Sequence, residues 1–218
     1  SIDSRTVQAG DLFVAIQGPN FDGHGFVADA LARGAAAAMI SRRPDNLDPD
    51  APLLLVDDTL AGLQALGRAA RARSSARIAA VTGSVGKTGT KEALFLALAR
   101  SASAHASEGN LNNHWGAPLS LARMPRDCRF GVFELGMNHS GEIAPLSRLV
   151  RPHVAIITNV EPVHLEFFNS LSQIADAKAE IFTGLEPDGI AILNRDNTHF
   201  AYLEAAGKAA GVGRVISF

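Results

Sequence analysis

The sequence predicts an α/β protein, in which a small N-terminal α/β domain precedes a larger domain built on a mostly parallel sheet. Apolar runs of strand length alternate with segments of helical periodicity along the chain. The run 154–157 is continuously apolar, as in strands that are buried on both faces. A small, polar and charged stretch at 71–77 interrupts the alternation, so we place the domain boundary near Ser75, giving domains 1–75 and 76–218.

The elements of the first domain follow from its turn residues and its apolar spacing. Strands are predicted at 12–16, 35–40 and 53–56. The turn at 18–20 (Gly-Pro-Asn) ends the first strand, and Gly34 ends a helix predicted at 25–33. Thr59 caps a second helix, whose apolar residues recur at helical spacing.

The second domain continues the same alternation. Strands are predicted at 78–81, 102–106, 130–135, 154–157, 190–193 and 215–218, and helices at 87–100, 117–124, 141–150, 170–185 and 198–210. Ser170 and Gln173 form a capping-box pattern, and Pro152 ends the helix before it. The sequence closes on a strand with no helix to cover it, so we expect the natural protein to continue and the second domain to be truncated.

Composition limits the partners of this protein. The chain has 218 residues, of which 47% are hydrophobic and 19% charged, as in ordinary globular proteins. A net charge of −2 gives no basic footprint, so we expect no nucleic-acid partner. Since no apolar run approaches the roughly 20 residues of a membrane span and Cys128 is the single cysteine, we expect no membrane insertion and a cytoplasmic location. We expect a monomer.

The stretch 77–98 carries the strongest functional signal. A strand, a glycine-rich turn and a helix that opens on a lysine and a threonine follow one another. Glycines let backbone N–H groups surround an anion, the lysine reaches outer phosphates, and the threonine hydroxyl holds Mg²⁺. The match is to the shorter G-x-x-G-K-T core, and the alternative is a tight turn with a chance lysine. The predicted nucleotide-phosphate residues are Gly83, Ser84, Val85, Gly86, Lys87, Thr88 and Gly89.

Polar side chains also follow two other predicted strands. Glu134 lies at the end of the strand 130–135, and His164 follows the strand 154–157. Ligands bind at the carboxyl ends of strands in open α/β sheets, so Thr88, Glu134 and His164 are expected to converge. Oxygen ligands beside phosphates suit Mg²⁺, with histidine as a less usual partner. The alternatives are a solvated or ion-paired Glu134 and a capping or packing His164.

Lys178 and the asparagine-rich loop each allow two interpretations. Lys178 lies on the apolar stripe of its helix, four residues after Ile174 and three before Ile181. It either extends outward to water or is held in the site, where a lowered pKa or a covalent change makes it useful. The loop 109–113 either provides turn chemistry or binds a polar ligand.

Together these motifs resemble those of the Mur ligases, a family of ATP-dependent amide ligases of peptidoglycan precursor synthesis. The resemblance is carried by the segments 2–5, 10–15, 21–24, 82–88, 109–113 with 116–118, 134–142, 159–164 and 177–182. The segments 109–113 and 134–142 are similar to those of family members that add D-alanyl-D-alanine. Members that add a single amino acid usually have a threonine-rich and a serine-rich motif there.

The resemblance implies a two-step reaction. ATP would phosphorylate the terminal carboxylate of UDP-MurNAc-tripeptide, and the amine of D-alanyl-D-alanine would displace phosphate to form the amide. It implies catalytic roles for Lys87, Glu134, His164 and a carbamylated Lys178, with Thr88, Glu134, His164 and Lys178 as Mg²⁺ ligands. The implied substrate-binding residues are Ser4, Arg5, Phe21, Asp22, His24, Asn112, Asn113 and Asn138.

The sequence departs from the family at two loop positions and in extent. The family usually has a small or polar residue at Val85 and a hydroxyl residue at Gly89. The family's C-terminal domain, which closes over ATP, is not part of this sequence, so we expect the 218-residue chain alone to be inactive. The alternatives are a non-catalytic nucleotide-binding module, a P-loop kinase or GTPase, and a Mur ligase that adds a single amino acid.

Overall fold

The computed structural model describes residues 1–45, 47–162, 167–168 and 170–218. The chain forms two compact units, Ser1–Leu66 and Gly67–Phe218. The division lies within a helix that ends at Arg73, and the boundary near Ser75 stays a prediction. None of the helices in the described ranges is long and apolar enough to cross a membrane.

The first unit is a small α/β unit, as the sequence predicts. Its strands are β1 (Leu12–Val14), β2 (Ala37–Ile40) and β3 (Leu53–Leu55), and its helices are two 3₁₀ turns (Ser4–Thr6 and Gly23–Phe26), α1 (Val27–Ala32) and the beginning of α2 (Thr59–Arg73). The central strand β2 pairs in parallel with both β1 and β3. Its core includes Phe13, Val27 and Ile40. The predicted helix at 25–33 opens as a 3₁₀ turn because the Asp22 side chain caps the backbone at His24.

The second unit is an open sheet with the strand order β5-β6-β4-β7-β8-β9, in which each neighbouring pair is parallel. Its strands are β4 (Arg77–Thr82), β5 (Ala104–Ala106), β6 (Phe130–Glu134), β7 (Val154–Ile157), β8 (Ile190–Leu193) and β9 (Arg214–Ser217). Its further helices are α3 (Lys87–Ala99), α4 (Gly116–Arg123), α5 (Ile143–Val150), α6 (Leu171–Ala179) and α7 (Phe200–Ala209). The strand order reverses around β4, so its carboxyl end lies at a topological switch point, the usual ligand position of such sheets.

Strand β7 is covered by helices on both faces of the sheet. Ala155 and Ile157 are buried in one apolar cluster, with residues of α5 and α6. Ile156 and Val154 belong to another cluster, with Leu94 of α3. The continuously apolar run 154–157 therefore faces helices on both sides, which confirms the interpretation drawn from the sequence.

The helix predicted at 170–185 changes character at residue 180. The Ser170 hydroxyl accepts from the Gln173 backbone N–H at 3.2 Å and caps α6, as the capping-box pattern predicts. Beyond α6, residues Glu180–Gly184 form a 3₁₀ helix. The Glu180 carboxylate accepts from the backbone N–H groups of Gly141 at 2.6 Å and Ala144 at 3.0 Å, so it caps α5. A 3₁₀ turn is a common end for an α-helix, and here the Glu180 carboxylate anchors that turn to α5.

Replacing Gly184 with alanine is expected to destabilise the second unit by about 3 kcal/mol. A Cβ at this position would overlap backbone atoms of Ser147 and Arg148, which cannot move without breaking α5. Chemical denaturation measures the change, with Gly207→Ala as the matched control. A Cβ at Gly207 meets side chains at 3.5 Å or more, so alanine fits there. Because alanine has a higher helix propensity than glycine, this substitution should stabilise the helix by about 1 kcal/mol at most. Equal stability of the two variants would contradict the close packing of the 3₁₀ turn on α5.

Candidate nucleotide-phosphate site

The turn between β4 and α3 has the backbone that its glycines predict. Gly83 has a φ of 150° and Gly86, at the N-cap of α3, has a φ of 83°. A Cβ on Gly83 would also overlap the Thr158 hydroxyl. Only glycine meets both demands at residue 83. The predicted order of strand, glycine turn and helix is confirmed, and it leaves the N-terminus of α3 directed at the turn.

The segment after β7 holds this loop in shape. The Asn159 backbone carbonyl accepts from the Ser84 N–H at 3.1 Å, and the Asn159 side-chain oxygen accepts from the Val85 N–H at 3.0 Å. The Thr158 hydroxyl donates to the Val85 carbonyl at 2.6 Å, and the Ser84 hydroxyl donates to the Glu161 carbonyl at 2.9 Å. Sequence reasoning missed the supporting role of Thr158 and Asn159. The available signal is their place directly after β7, the neighbour of β4.

The Val85 side chain projects outward, with 53% of its surface exposed. Its departure from the small or polar residue usual in the family therefore leaves the backbone of the loop undisturbed.

Lys87 folds back over the same loop. Its ammonium donates to the carbonyl of Gly83 at 2.9 Å and to that of Ser84 at 3.4 Å. The ammonium and the N-terminus of α3 thus concentrate positive charge at one place, as an anion site requires.

Thr88 and Glu134 meet beside the loop, as their places in the sequence predict. The Thr88 hydroxyl donates to Glu134 Oε2 at 2.8 Å, and the Asn112 amide donates to Glu134 Oε1 at 2.8 Å. The Glu134 backbone N–H donates to the Ser107 hydroxyl at 3.0 Å. Glu134 is only 2% exposed, so the solvated alternative is wrong. We call Glu134, Thr88 and Asn112 the carboxylate cluster.

The donor atoms of the carboxylate cluster suit a cation that arrives with a nucleotide. No group of three or more His, Cys, Asp or Glu side chains in the described ranges is arranged to hold a metal ion by itself. A hydroxyl and a carboxylate are adjacent hard oxygen donors, and Mg²⁺ usually keeps few protein ligands and completes its shell with phosphates and water. The pair Thr88 and Glu134 therefore fits a Mg²⁺–nucleotide better than a free cation. His164, predicted as a further ligand, lies outside the described residues.

Lys178 is buried, which excludes the first of its two interpretations. It is 2% exposed on α6, so it does not extend outward to water. Burial, together with repulsion from the Lys87 ammonium, lowers the pKa of Lys178 from 10.5 to about 7. No hydrogen bond or ion pair joins its ammonium to another described residue. The repulsion from Lys87 places Lys178 within electrostatic reach of residues 83–89, which we call the phosphate loop.

Two of the three asparagines in the 109–113 loop have different structural roles. Asn112 belongs to the carboxylate cluster, whereas the Asn113 side-chain oxygen accepts from the Trp115 N–H at 3.1 Å and the Gly116 N–H at 2.9 Å. Asn113 therefore provides the turn chemistry that opens α4. Asn138 is exposed, and its backbone N–H donates to a Glu142 carboxylate oxygen at 2.7 Å.

In the first unit, Asp22 and His24 fix a turn. His24 Nδ1 and Asp22 Oδ1 are 2.6 Å apart, and His24 Nε2 accepts from the Ser41 backbone N–H at 3.0 Å. The backbone N–H of His24 is the largest cause that lowers the pKa of Asp22 to about 2, and Arg42 adds a side-chain hydrogen bond. His24 is buried with both ring nitrogens engaged, so it shapes the turn and offers no free nitrogen to a ligand.

The other residues predicted to bind substrate in this unit differ in accessibility. Ser4 is buried. Arg5 is exposed and pairs with Asp3 at 2.7 Å. Phe21 exposes 44% of its surface beside the turn. Arg5 and Phe21 are thus accessible to a ligand, while the Ser4 side chain is hydrogen-bonded to Asp29.

Comparison with known protein families agrees with this geometry. A family model described as the Mur ligase middle domain matches residues 81–218, and one described as the Mur ligase family, catalytic domain, matches residues 1–81. The chain belongs to the Mur ligase family. The residue ranges that these two family models match meet at the end of β4, where the phosphate loop begins.

Two named members of the Mur ligase family show how similar the chain is to its relatives in sequence. The chain is 42% identical over 216 residues to the UDP-N-acetylmuramoyl-tripeptide–D-alanyl-D-alanine ligase of Rickettsia prowazekii, covering 99% of this chain and 48% of that protein. It is 44% identical over 195 residues to the ligase of the same name from Escherichia coli, covering 89% of this chain and 42% of that protein. The chain thus spans about half the length of the curated relatives that it matches.

Solved structures show the same likeness. The structure of MurF from Acinetobacter baumannii matches with a TM-score of 0.87 at 38% identity, covering 100% of this chain and 47% of that one. MurF ligase from Thermotoga maritima in complex with ADP matches with a TM-score of 0.83 at 33% identity, covering 100% and 49%. Mycobacterium tuberculosis folylpolyglutamate synthase, at 17% identity and a TM-score of 0.58, shares the fold.

Proposed function

We propose that this chain supplies the precursor-binding and nucleotide-binding parts of an ATP-dependent ligase that joins D-alanyl-D-alanine to UDP-MurNAc-tripeptide. The observation that carries the proposal is the carboxylate cluster, a buried Glu134 held by Thr88 and Asn112 beside the phosphate loop. A module that had lost its chemistry would have no need to bury this carboxylate, which is costly unless it is paired. The names of the relatives supply the substrates, and the ADP complex of the Thermotoga maritima protein supports the nucleotide.

The residues of this chain would act by positioning and by neutralising charge, which is most of what phosphoryl transfer requires. The loop N–H groups and the Lys87 ammonium would hold the phosphates of ATP while a substrate carboxylate oxygen attacks the γ-phosphorus and ADP leaves. Thr88 and Glu134 would hold Mg²⁺, which supplies further charge neutralisation when bound. The amine of D-alanyl-D-alanine would then attack the acyl phosphate, losing a proton as phosphate departs and the amide forms.

The first unit would hold the UDP-sugar end of the precursor. Arg5 and Phe21 are its accessible candidates, and Asp22 and His24 would act by fixing the turn that carries Phe21. Asn112, Asn113 and Asn138 were predicted to contact substrate. The first two have structural partners, so we propose that Asn112 acts through Glu134 and Asn113 through the start of α4. A reaction that consumes ATP and a nucleotide-linked precursor also supports a cytoplasmic location, and we propose a monomer.

The test is release of phosphate by the full-length protein given ATP, Mg²⁺ and UDP-MurNAc-tripeptide. Release that depends on D-alanyl-D-alanine, with formation of the pentapeptide product, is the expected result. Release that requires instead UDP-MurNAc-dipeptide and one free amino acid would favour a single-amino-acid ligase. That alternative has weaker support, because the structure of a diaminopimelate-adding ligase matches at only 21% identity. Nucleotide binding without turnover of either substrate would indicate the non-catalytic module.

Residues 1–218 expressed alone are expected to form no amide. The relatives are about twice as long, and closure of a further domain normally excludes water and completes such a site. Weak binding of ATP with Mg²⁺ is still expected, because the phosphate loop and the carboxylate cluster lie within this chain. Calorimetry and a product assay on the same sample separate binding from catalysis. Amide formation by this chain alone would contradict the prediction.

A further inference from the structure

Lys91 is a fully buried lysine on α3, the helix that also carries Lys87 and Thr88. It lies in α3, three residues after Thr88, and is 0% exposed. An ammonium has donors and no acceptor, and a buried charge is costly unless it is paired and hydrogen-bonded. The contacts of Lys91 therefore indicate why this position holds a lysine.

Two of these contacts reach the segment that follows β5. The Lys91 ammonium donates to the Ser107 carbonyl at 2.6 Å and to the Gly109 carbonyl at 3.3 Å. It also pairs with Glu92 Oε1 at 2.9 Å. Hydrogen bonds to charged groups are stronger than neutral ones. Lys91 therefore fastens residues 107–109 to α3.

The fastened segment leads to two of the groups that hold Glu134. The Ser107 hydroxyl accepts from the Glu134 backbone N–H, and the Asn112 amide donates to its carboxylate. The third contact, from Thr88, comes from the same helix as Lys91. The position of Glu134 is thus set by α3 on one side and by the 107–112 segment on the other. Lys91 joins these two sides.

We propose that Lys91 is a positioning residue, whose ammonium fixes the 107–112 segment so that Glu134 and Thr88 are spaced to bind the cation of a Mg²⁺–nucleotide. The proposal rests on the proposed function, because it concerns the nucleotide site of that reaction. An apolar side chain of similar length would fill the same volume but would donate nothing to the Ser107 and Gly109 carbonyls. Lys91→Met therefore separates the hydrogen bonds from the packing.

The test measures ADP binding to the full-length protein by calorimetry, once with Mg²⁺ and once with a chelator. The gain in affinity that Mg²⁺ provides should fall about 10-fold or more in Lys91→Met, as expected for groups that orient metal ligands. Mg²⁺-free ADP affinity should change less than about 3-fold, because the phosphate loop is intact. Ser107→Ala keeps the carbonyl that Lys91 binds and removes the hydroxyl at Glu134, so it should also reduce the gain in ADP affinity that Mg²⁺ provides. Lys208→Met, at a lysine with a 64% exposed side chain, is the matched control.

A double-mutant cycle with Glu134→Ala decides whether Lys91 acts through Glu134. In the Glu134→Ala background, Lys91→Met should cause no further loss of the Mg²⁺-dependent gain. An additive loss, or a lower melting temperature with the gain unchanged, would overturn the inference and leave Lys91 a packing residue. If Lys91→Met does not fold, Lys91→Gln, whose neutral amide lacks the ammonium charge, takes its place in the same cycle. A wild-type protein that binds ADP equally with and without Mg²⁺ would instead overturn the proposed function, and this inference with it.

Discussion

Replacing Lys87 with alanine is expected to abolish ligation by the full-length protein while leaving its fold intact. The Lys87 ammonium lies over the phosphate loop, 2.9 Å from the Gly83 carbonyl, where it would meet the outer phosphates of a bound nucleotide. Removing one group that stabilises charge in a transition state costs about 10²–10³-fold or more in rate. Within the described ranges, the Lys87 ammonium donates to the carbonyls of Gly83 and Ser84 and to no other group, so its loss should change the melting temperature little.

The measurement is the rate of D-alanyl-D-alanine-dependent phosphate release, with Lys208→Ala as the control. Lys208 is an exposed helical lysine paired with Glu204, so its replacement should leave the rate unchanged. A lower rate in both variants would point to a general effect of lost charge. Near-normal turnover in Lys87→Ala, with the ATP requirement preserved, would refute the assignment of the phosphate loop.

Replacing Lys178 with methionine is expected to stabilise the CO₂-free protein below pH 7 and to inactivate the enzyme. An ammonium cannot ligate a cation, because it has donors and no acceptor. Addition of CO₂ to the neutral amine releases a proton and yields a carbamate, an anionic oxygen donor of the type that Mg²⁺ prefers. Since burial and Lys87 lower the pKa of Lys178 to about 7, the neutral amine that CO₂ needs is available near neutral pH. We therefore expect a carbamate on Lys178.

The stability effect of Lys178 has a definite dependence on pH. Below pH 7 the side chain is charged in both the folded and the unfolded state, and the cost of burying the charge is at its full value. Between about 7 and 10.5 the unfolded state binds more protons than the folded state, so the stability of the protein rises with pH. In protein prepared free of CO₂, Lys178→Met should therefore melt higher than wild type at pH 6, and the difference should narrow above pH 7.

Activity measurements separate the proposed role of a carbamate on Lys178 in the chemistry from a purely structural role. Lys178→Met should lose ligation despite its higher melting temperature, and Lys178→Ala should regain part of the rate when short carboxylic acids are added. Mass spectrometry of the full-length protein under CO₂, with the carbamate trapped by alkylation, tests for the modification directly. A fully active Lys178→Ala variant with an unmodified lysine would show that Lys178 has no part in the chemistry.

The sequence by itself determined the α/β class and the phosphate loop, since both depend on neighbours along the chain. The helix and strand periods are local, and so are the glycines at 83 and 86 that permit the positive φ angles of the turn. Lys87 and Thr88 follow at fixed spacing because the helix begins there. The apolar run 154–157 likewise indicated a strand that is covered on both faces.

Only the tertiary structure decided which side chains assist that loop. Asn159 meets Val85, and Asn112 meets Glu134, across long separations in sequence that no spacing rule relates. The same asparagine-rich loop supplied one residue to the site and another to the start of α4, a division that composition does not reveal. Lys178 was ambiguous on its helix, because an apolar stripe admits both an extended and a buried lysine, and burial is a property of the packed whole. Lys91 carried no signal, since a lysine beside a glutamate on a helix is ordinarily solvated. Its burial depends on the carbonyls of the 107–109 segment, which are distant in sequence.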